Sequence, residues 1–188
     1  MWLIVMRGLP GCGKSTLSRA LSKHLNWPLI DKDDVRDLLG DEIPGIGGLA
    51  YDIMFNIARR QLLQGLNVIC DSPLISRVSY DRAQVIARET HAYLAVIECT
   101  CSDESLWRSR ITERKTSGLP THHQTDWDSF QAYRRFYLSQ ANYAFLHPHI
   151  IVDTVKPLHD CLAEIMAWLE QASAFAKTSL EQGSQYAL

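Results

Sequence analysis

The sequence predicts an α/β protein: a three-layer α/β/α fold with a five-stranded parallel sheet and a short helical lid. Three observations predict it. Apolar runs of about four to six residues alternate with segments of helical period. The runs are near-continuous rather than alternating, which suits strands of a parallel sheet covered on both faces. A glycine-rich loop joins the first run to the first helical segment. The 188 residues, of which 46% are hydrophobic, can bury one sizeable core, and they predict one domain over residues 1–178 followed by a flexible tail over 179–188.

The elements follow in order. Trp2–Met6 reads as a buried strand, and Lys14–Leu25 as a helix with Leu17, Ala20, Leu21 and Leu25 on one side. Pro28–Ile30 is a short second strand ending at an acidic cluster. Tyr51–Leu63 carries the apolar stripe Ile53, Met54, Ile57, Ala58 and Leu62, and so reads as a helix. Asn67–Cys70 is a third strand, Tyr80–Thr90 a helix and Tyr93–Thr100 a fourth strand. Ser102–Lys115 is helical, with Ser102 as its cap and Asp103 and Glu104 in its first turn. A polar loop with Gly118, Pro120, His122 and His123 follows, and a helix capped by Asp126 or Asp128 runs to Phe136. Ile150–Val152 is the fifth strand, and Leu158–Ala176 a long amphipathic helix.

A formal net charge of −2 excludes the broad basic footprint of a general nucleic-acid binder. Cys12, Cys70, Cys99, Cys101 and Cys161 are odd in number and lie mostly in apolar runs, as expected of reduced, partly buried thiols. Cys99 and Cys101, two apart on a strand, point to one face. The first apolar run is far too short for a signal segment, and nothing approaches the ~20 apolar residues of a membrane span. The expectation is a cytoplasmic protein without a targeting segment.

Gly8-Leu9-Pro10-Gly11-Cys12-Gly13-Lys14-Ser15 fits G-x-x-x-x-G-K-[ST] at every fixed position, and Thr16 follows it. The motif gains its meaning from the strand before it and the helix after it. Glycines allow the backbone to turn N–H groups inward as an anion nest, and the helix adds its positive end. Lys14 can then reach the β- and γ-phosphates of a nucleoside triphosphate such as ATP, with Ser15 placing its hydroxyl on Mg²⁺. No guanine-specific Asn-Lys-x-Asp segment is present: Asp31-Lys32-Asp33-Asp34 lacks the asparagine and lies too early.

The second strand ends in Ile30-Asp31-Lys32-Asp33-Asp34-Val35-Arg36. In open parallel sheets the ligand lies beyond the carboxyl ends of the strands, so these side chains should face the phosphate loop. A carboxylate there can take the proton of an attacking hydroxyl, and an arginine three residues after Asp33 can fork onto the acceptor. Capping of a short helix over Val35–Leu39 is the competing role for Asp33 and Asp34. Asp71 closes the third strand, where it can orient Mg²⁺-bound water, contact the acceptor or sit as a solvated turn residue before Pro73.

The combination of GLPGCGKST, DDVR and ICDSP resembles the small P-loop kinase group. That group contains polynucleotide 5′-hydroxyl kinases, chloramphenicol phosphotransferase, zeta toxins, and gluconate or shikimate kinase relatives. The chain most resembles the Asp-Asp-x-Arg branch, and the resemblance spans nearly its whole length. It implies a P-loop kinase fold using ATP and Mg²⁺, with Asp33 as general base and Asp34 and Arg36 at the acceptor. It also implies a mobile lid, about residues 108–128. Arg110 and Arg114 are four apart and share a helix face directly before the polar loop, where they would stabilise the transferring phosphoryl group. Asp153–Pro157 falls where such kinases contact adenine. His122 and His123 read as exposed loop residues, and Arg134 and Arg135 as either acceptor pocket or surface charge.

The expectation is therefore transfer of the γ-phosphoryl group to a hydroxyl of a small metabolite or nucleoside. A polynucleotide 5′-end is the alternative acceptor, and a regulatory nucleotide-binding module without chemistry is the alternative of another class. Membranes are not an expected partner.

Overall fold

A computed structural model describes residues 1–40, 42–116 and 125–184. The strands are β1 (Trp2–Arg7), β2 (Leu29–Asp31), β3 (Val68–Asp71), β4 (Tyr93–Thr100) and β5 (His149–Asp153). All pairings are parallel, in the order β2-β3-β1-β4-β5. The helices are α1 (Lys14–Leu25), α2 (Lys32–Leu39), α3 (Ile46–Leu63), α4 (Arg77–Thr90), α5 (Glu104–Thr116), α6 (Trp127–Gln140) and α7 (Leu158–Ser184).

Alternation along the strands sends side chains into two cores. Ile4, Met6, Ile69, Ile97 and Val152 face Leu17 and Leu21 of α1, Trp107 and Ile111 of α5, Phe130 of α6, and Ile165 and Leu169 of α7. Leu3, Val5, Val68, Leu94 and Val96 face Met54, Ala58 and Leu62 of α3, and Tyr80 and Ala83 of α4. The result is the predicted three-layer arrangement, with β1 central and the phosphate loop at its carboxyl end.

Arg7 ends β1 on the α3/α4 side and is almost wholly buried. Its Nη2 donates to the Ala141 carbonyl at 2.6 Å and its Nε to Tyr137 Oη at 3.1 Å, while Glu98 lies 3.5 Å away. The end of α6 is thereby tied to the strand that feeds the phosphate loop. Burial raises the Glu98 carboxyl, but the His149 hydrogen bond and the Arg7 charge outweigh it and hold that group below its ordinary range.

Several boundaries differ from the sequence expectation for identifiable reasons. Helix α2 begins at Lys32 rather than Val35, because Asp31 is extended and its Oδ1 accepts the Asp33 N–H at 2.9 Å. The cap is thus Asp31, not Asp33 or Asp34. Helix α3 begins at Ile46, ahead of the predicted Tyr51, with Gly45 in left-handed backbone before it. Ser76 caps α4 by accepting from the Ser79 N–H. Ser102 does not cap α5: its hydroxyl and N–H both bond Asp153, and Asp103 Oδ1 accepts from Leu106 N–H at 3.0 Å instead. Asp126 caps α6, which runs to Gln140. Helix α7 continues to Ser184, so the first part of the predicted tail is helical backbone, and residues 185–188 lie outside the described ones. Among the described residues, no helix is long and apolar enough to cross a membrane.

Candidate active site

The phosphate loop is a turn that only glycine tolerates at two points. Gly11 and Gly13 have φ of +75° and +82°, a region that costs residues with a Cβ. Space is closed as well as conformation. A Cβ on Gly13 would stand 2.8 Å from Thr154 Oγ1, and one on Gly11 would stand 2.7 Å from Ile111 Cδ1 and 3.2 Å from Trp107 Cδ1. The loop is therefore clasped from outside by α5 and by the segment after β5. Trp107 Nε1 donates to the Pro10 carbonyl at 2.8 Å, and Thr154 Oγ1 donates to the Cys12 carbonyl at 2.7 Å. The Cys12 side chain itself points into the core, where burial raises its thiol to about 11 against the opposing pull of Lys14.

At the start of α1, Lys14 forms an ion pair with Asp71 Oδ1, while Asp71 Oδ2 accepts from Ser18 Oγ at 2.9 Å. Burial pulls the Lys14 amine down, but the Asp71 carboxylate more than reverses this and holds it above the ordinary lysine range. Asp71 has no exposed surface. It lies beneath Lys14 and does not line the cavity, so its predicted direct contact with an acceptor is not what this geometry provides.

Asp31 pairs in register with Asp71 across β2 and β3. Burial first, and then the Asp71 charge, raise the Asp31 carboxyl to about 6, against the Asp33 N–H bond and Lys14, which act to lower it. Asp33 is held by the buried Lys32, whose Nζ lies 2.6 Å from Asp33 Oδ1. Lys32 also lies over the Tyr51 ring.

One cavity of about 1220 Å³ spans these groups. Its floor is the phosphate loop, including Gly8, Pro10, Gly11, Gly13, Lys14, Ser15 and Thr16. Asp31, Asp33, Asp34 and Arg36 form one wall, and Arg110, Arg114, Thr154 and Lys156 another. A cleft for a single drug-sized ligand is ~300–1,000 Å³, so this one has room for a nucleotide and a second molecule. Mg²⁺ favours hard oxygen donors and needs few from the protein when phosphates supply the rest. Ser15 and Asp31, both lining the cavity, offer a hydroxyl and a carboxylate of that kind.

Arg110 and Arg114 both reach the cavity wall, but their settings differ. Arg110 donates through Nη1 to Thr154 Oγ1 and through Nη2 to the Thr154 carbonyl, each at 3.0 Å. It is held on the β5 side of the loop, away from the acidic wall. Arg134 lies 5.1 Å over Trp107, and Arg108 5.8 Å over Trp127, and neither lines the cavity. The part of the predicted lid at 117–124, with His122 and His123, lies outside the described residues.

Sequence reasoning gave no role to Asp31, Trp107 or Arg82, and placed Thr154 only within the expected adenine-contacting segment, though all four bear on the cavity or its loop. For Asp31 a signal was present, since it is the last residue of an apolar strand, as Asp71 is. The others depend on contacts far apart in sequence.

A family model described as an AAA domain matches residues 3–137. The structure is similar to that of a "putative kinase" from Chloroflexus aurantiacus, at 25% identity, with a TM-score of 0.73 over 91% of this chain and 97% of that one. It is also similar to a gluconokinase from Sinorhizobium meliloti, at 17% identity, with a TM-score of 0.59 over 96% of this chain and 97% of that one. The APS kinase of Mycobacterium tuberculosis, solved with AMPPNP and APS, aligns at 12% identity, with a TM-score of 0.61 over 90% of this chain and 97% of that one. No curated protein sequence matches the chain.

Proposed function

The chain belongs to the AAA domain family and has the fold of small P-loop kinases, and from this premise we propose that it is an ATP-dependent phosphotransferase acting on a hydroxyl. The observation that carries the reading is the single cavity joining the phosphate loop to Asp33 and Arg36. A switch or motor has to place only a water molecule beside the γ-phosphate, whereas transfer to a second molecule also needs a binding wall for that acceptor, and Asp33 and Arg36 lie on such a wall.

The loop N–H groups and Lys14 bind the phosphates of ATP. Bound Mg²⁺, with Ser15 among its ligands, would supply charge neutralisation at the β- and γ-oxygens. Lys14 exchanges its carboxylate partner Asp71 for phosphate oxygens, so an already charged amine meets the nucleotide. Asp33, fixed by Lys32 and by the Asp31 cap, takes the proton of the acceptor hydroxyl. The hydroxyl oxygen bonds to the γ-phosphorus as the bond to the β,γ-bridging oxygen breaks, and ADP leaves with that electron pair. Arg114 is one turn closer to the end of α5 than Arg110 and stabilises the charge in flight. Arg110, seated on Thr154, serves the nucleotide side. The acceptor is a small metabolite or nucleoside.

Asp33→Asn tests the assignment. The expected result is a loss of about 10²–10⁴-fold in kcat with ATP affinity retained. Full turnover in that variant would remove Asp33 from the role.

A further inference from the structure

Asp33 and the phosphate loop stand on different elements, so transfer depends on what fixes one side of the cavity against the other. The turn after β3 lies between them. Val5 pairs with Cys70 in register, so Arg7 and Ser72 leave the sheet side by side. Pro73, Ile75 and Ser76 then line the cavity together with Gly8. The Pro73 carbonyl accepts from the Gly8 N–H at 3.3 Å and from Tyr137 Oη at 3.4 Å, which joins the turn directly to the phosphate loop and to α6. Tyr143 Oη donates to the Leu74 carbonyl at 2.8 Å, and the Leu74 N–H donates to Tyr51 Oη at 2.9 Å. Leu74 is fully buried with φ of +46°, a conformation that costs any residue with a Cβ. The tyrosines hold the turn against that cost.

Two of these tyrosines lead back to Arg7. Its Nε donates to the same Tyr137 hydroxyl that holds Pro73, and its guanidinium lies 5.0 Å over the Tyr143 ring. Its Nη2 takes the Ala141 carbonyl at the end of α6, where a positive charge suits the helix dipole. Burial raises the Tyr137 hydroxyl to about 12 against the pull of Arg7, so near neutral pH it keeps the proton that it gives to Pro73. Tyr133, one turn before Tyr137 on the same face of α6, lines the cavity with Asp33. An apolar side chain would pack at position 7 without the cost of desolvating a charge. What the planar fork adds is fixed geometry between its partners.

We propose that Arg7 is a positioning residue for phosphoryl transfer, acting through Tyr137 to hold the turn over 73–76 and the Tyr133 face of α6 in register with the phosphate loop. Arg7 touches neither nucleotide nor acceptor. Its effect is on where the acceptor hydroxyl stands relative to the γ-phosphorus. This rests on the phosphotransfer reading and adds to it the device that aligns the two halves of the site.

The test compares transfer with hydrolysis in the full chain. Attack by water breaks the same bond at the γ-phosphorus and releases inorganic phosphate, but it needs no placed acceptor. The protein is given γ-labelled ATP, Mg²⁺ and a pool of sugars, sugar phosphates, nucleosides and nucleotides, and label is partitioned between organic products and inorganic phosphate. Tyr137→Phe keeps the ring and deletes the hydroxyl, and Arg7→Lys keeps the charge and deletes the fork. Each should shift the partition about tenfold toward inorganic phosphate, within the loss that a misplaced reactant brings, with the KM for ATP changed by less than about twofold. Leu169→Ala, a core truncation on α7 outside the cavity, should lower Tm and leave the partition at the wild-type value. A partition within about twofold of wild type in both site variants overturns the inference, as does an equal shift in Leu169→Ala. Either result leaves the phosphotransfer reading standing. A wild type that labels no organic product overturns both.

Discussion

Replacing Asp71 by alanine strips the Lys14 amine of its carboxylate partner. The Asp71 side chain has no exposed surface and that of Lys14 is 10% exposed, so the ammonium left behind is poorly hydrated. Removing one member of a buried pair costs ~3–5 kcal/mol. Ser18 loses its acceptor too, at a further cost of ~1 kcal/mol. Against this, Lys14 lines the cavity and can turn toward water, so the low end applies, about 4 kcal/mol in all with Ser18 included. For a chain of this size that lowers Tm by roughly 8–16 °C. The assay is urea unfolding of four proteins: the wild type, Asp71→Ala, Lys14→Met and the double variant. The double variant should be at least ~1.5 kcal/mol more stable than the sum of the single effects implies. With Mg²⁺ and AMPPNP present the Asp71→Ala deficit should narrow, because phosphate replaces the missing carboxylate beside Lys14. A coupling below ~0.5 kcal/mol without nucleotide would refute the argument that Asp71 neutralises Lys14.

Three further outcomes follow from the same geometry. Asp31 binds its proton more tightly folded, at about 6, than at its ordinary value of 3.8, so its contribution to stability is greatest at low pH and is lost as pH rises through that window. Relative to Asp31→Asn, which keeps the cap, the wild type should lose stability between about pH 4 and pH 7, and a flat difference in unfolding free energy across that range would exclude the shift. Trp107→Ala removes a buried ring and the donor to the Pro10 carbonyl. It should cost ~3–5 kcal/mol in denaturant unfolding, and it should weaken AMPPNP binding in calorimetry because α5 clasps Gly11. Thr154→Val keeps the shape of the side chain and deletes the hydroxyl shared by Cys12 and Arg110. It should cost ~1–2 kcal/mol and raise the KM for ATP, whereas an unchanged KM would place Arg110 outside the nucleotide site.

What could be read in the sequence follows the range of the forces involved. The phosphate loop and the five strands rest on local patterns, and α1 and β4 begin and end where the sequence places them. The start of α3 was hidden because Gly47 and Gly48 are poor helix formers, and tertiary packing on α2 and α4 overrides that propensity. Asp33 and Asp34 compete locally for the cap of α2; the position of Asp31 at the end of an apolar run hints at its extended backbone, but its pairing in register with Asp71 is a long-range contact. Ser102 looked like the cap of α5 until Asp153, across the β4–β5 pair, captured it. Arg110 and Arg114 looked equivalent by helical spacing. Thr154, 44 residues beyond Arg110, is what separates them.

The central claim is transfer of a phosphoryl group across the cavity from the Lys14 side to the Asp33 side. It is tested most directly with γ-labelled ATP, Mg²⁺ and a pool of sugars, sugar phosphates, nucleosides, nucleotides and 5′-hydroxyl oligonucleotides, with the labelled products identified by mass. The account predicts label on a hydroxyl of a small molecule in the wild type, and labelling at least about a hundredfold slower with Lys14→Met or Asp33→Asn. Label appearing only as inorganic phosphate, at the same rate with and without the pool, would contradict it.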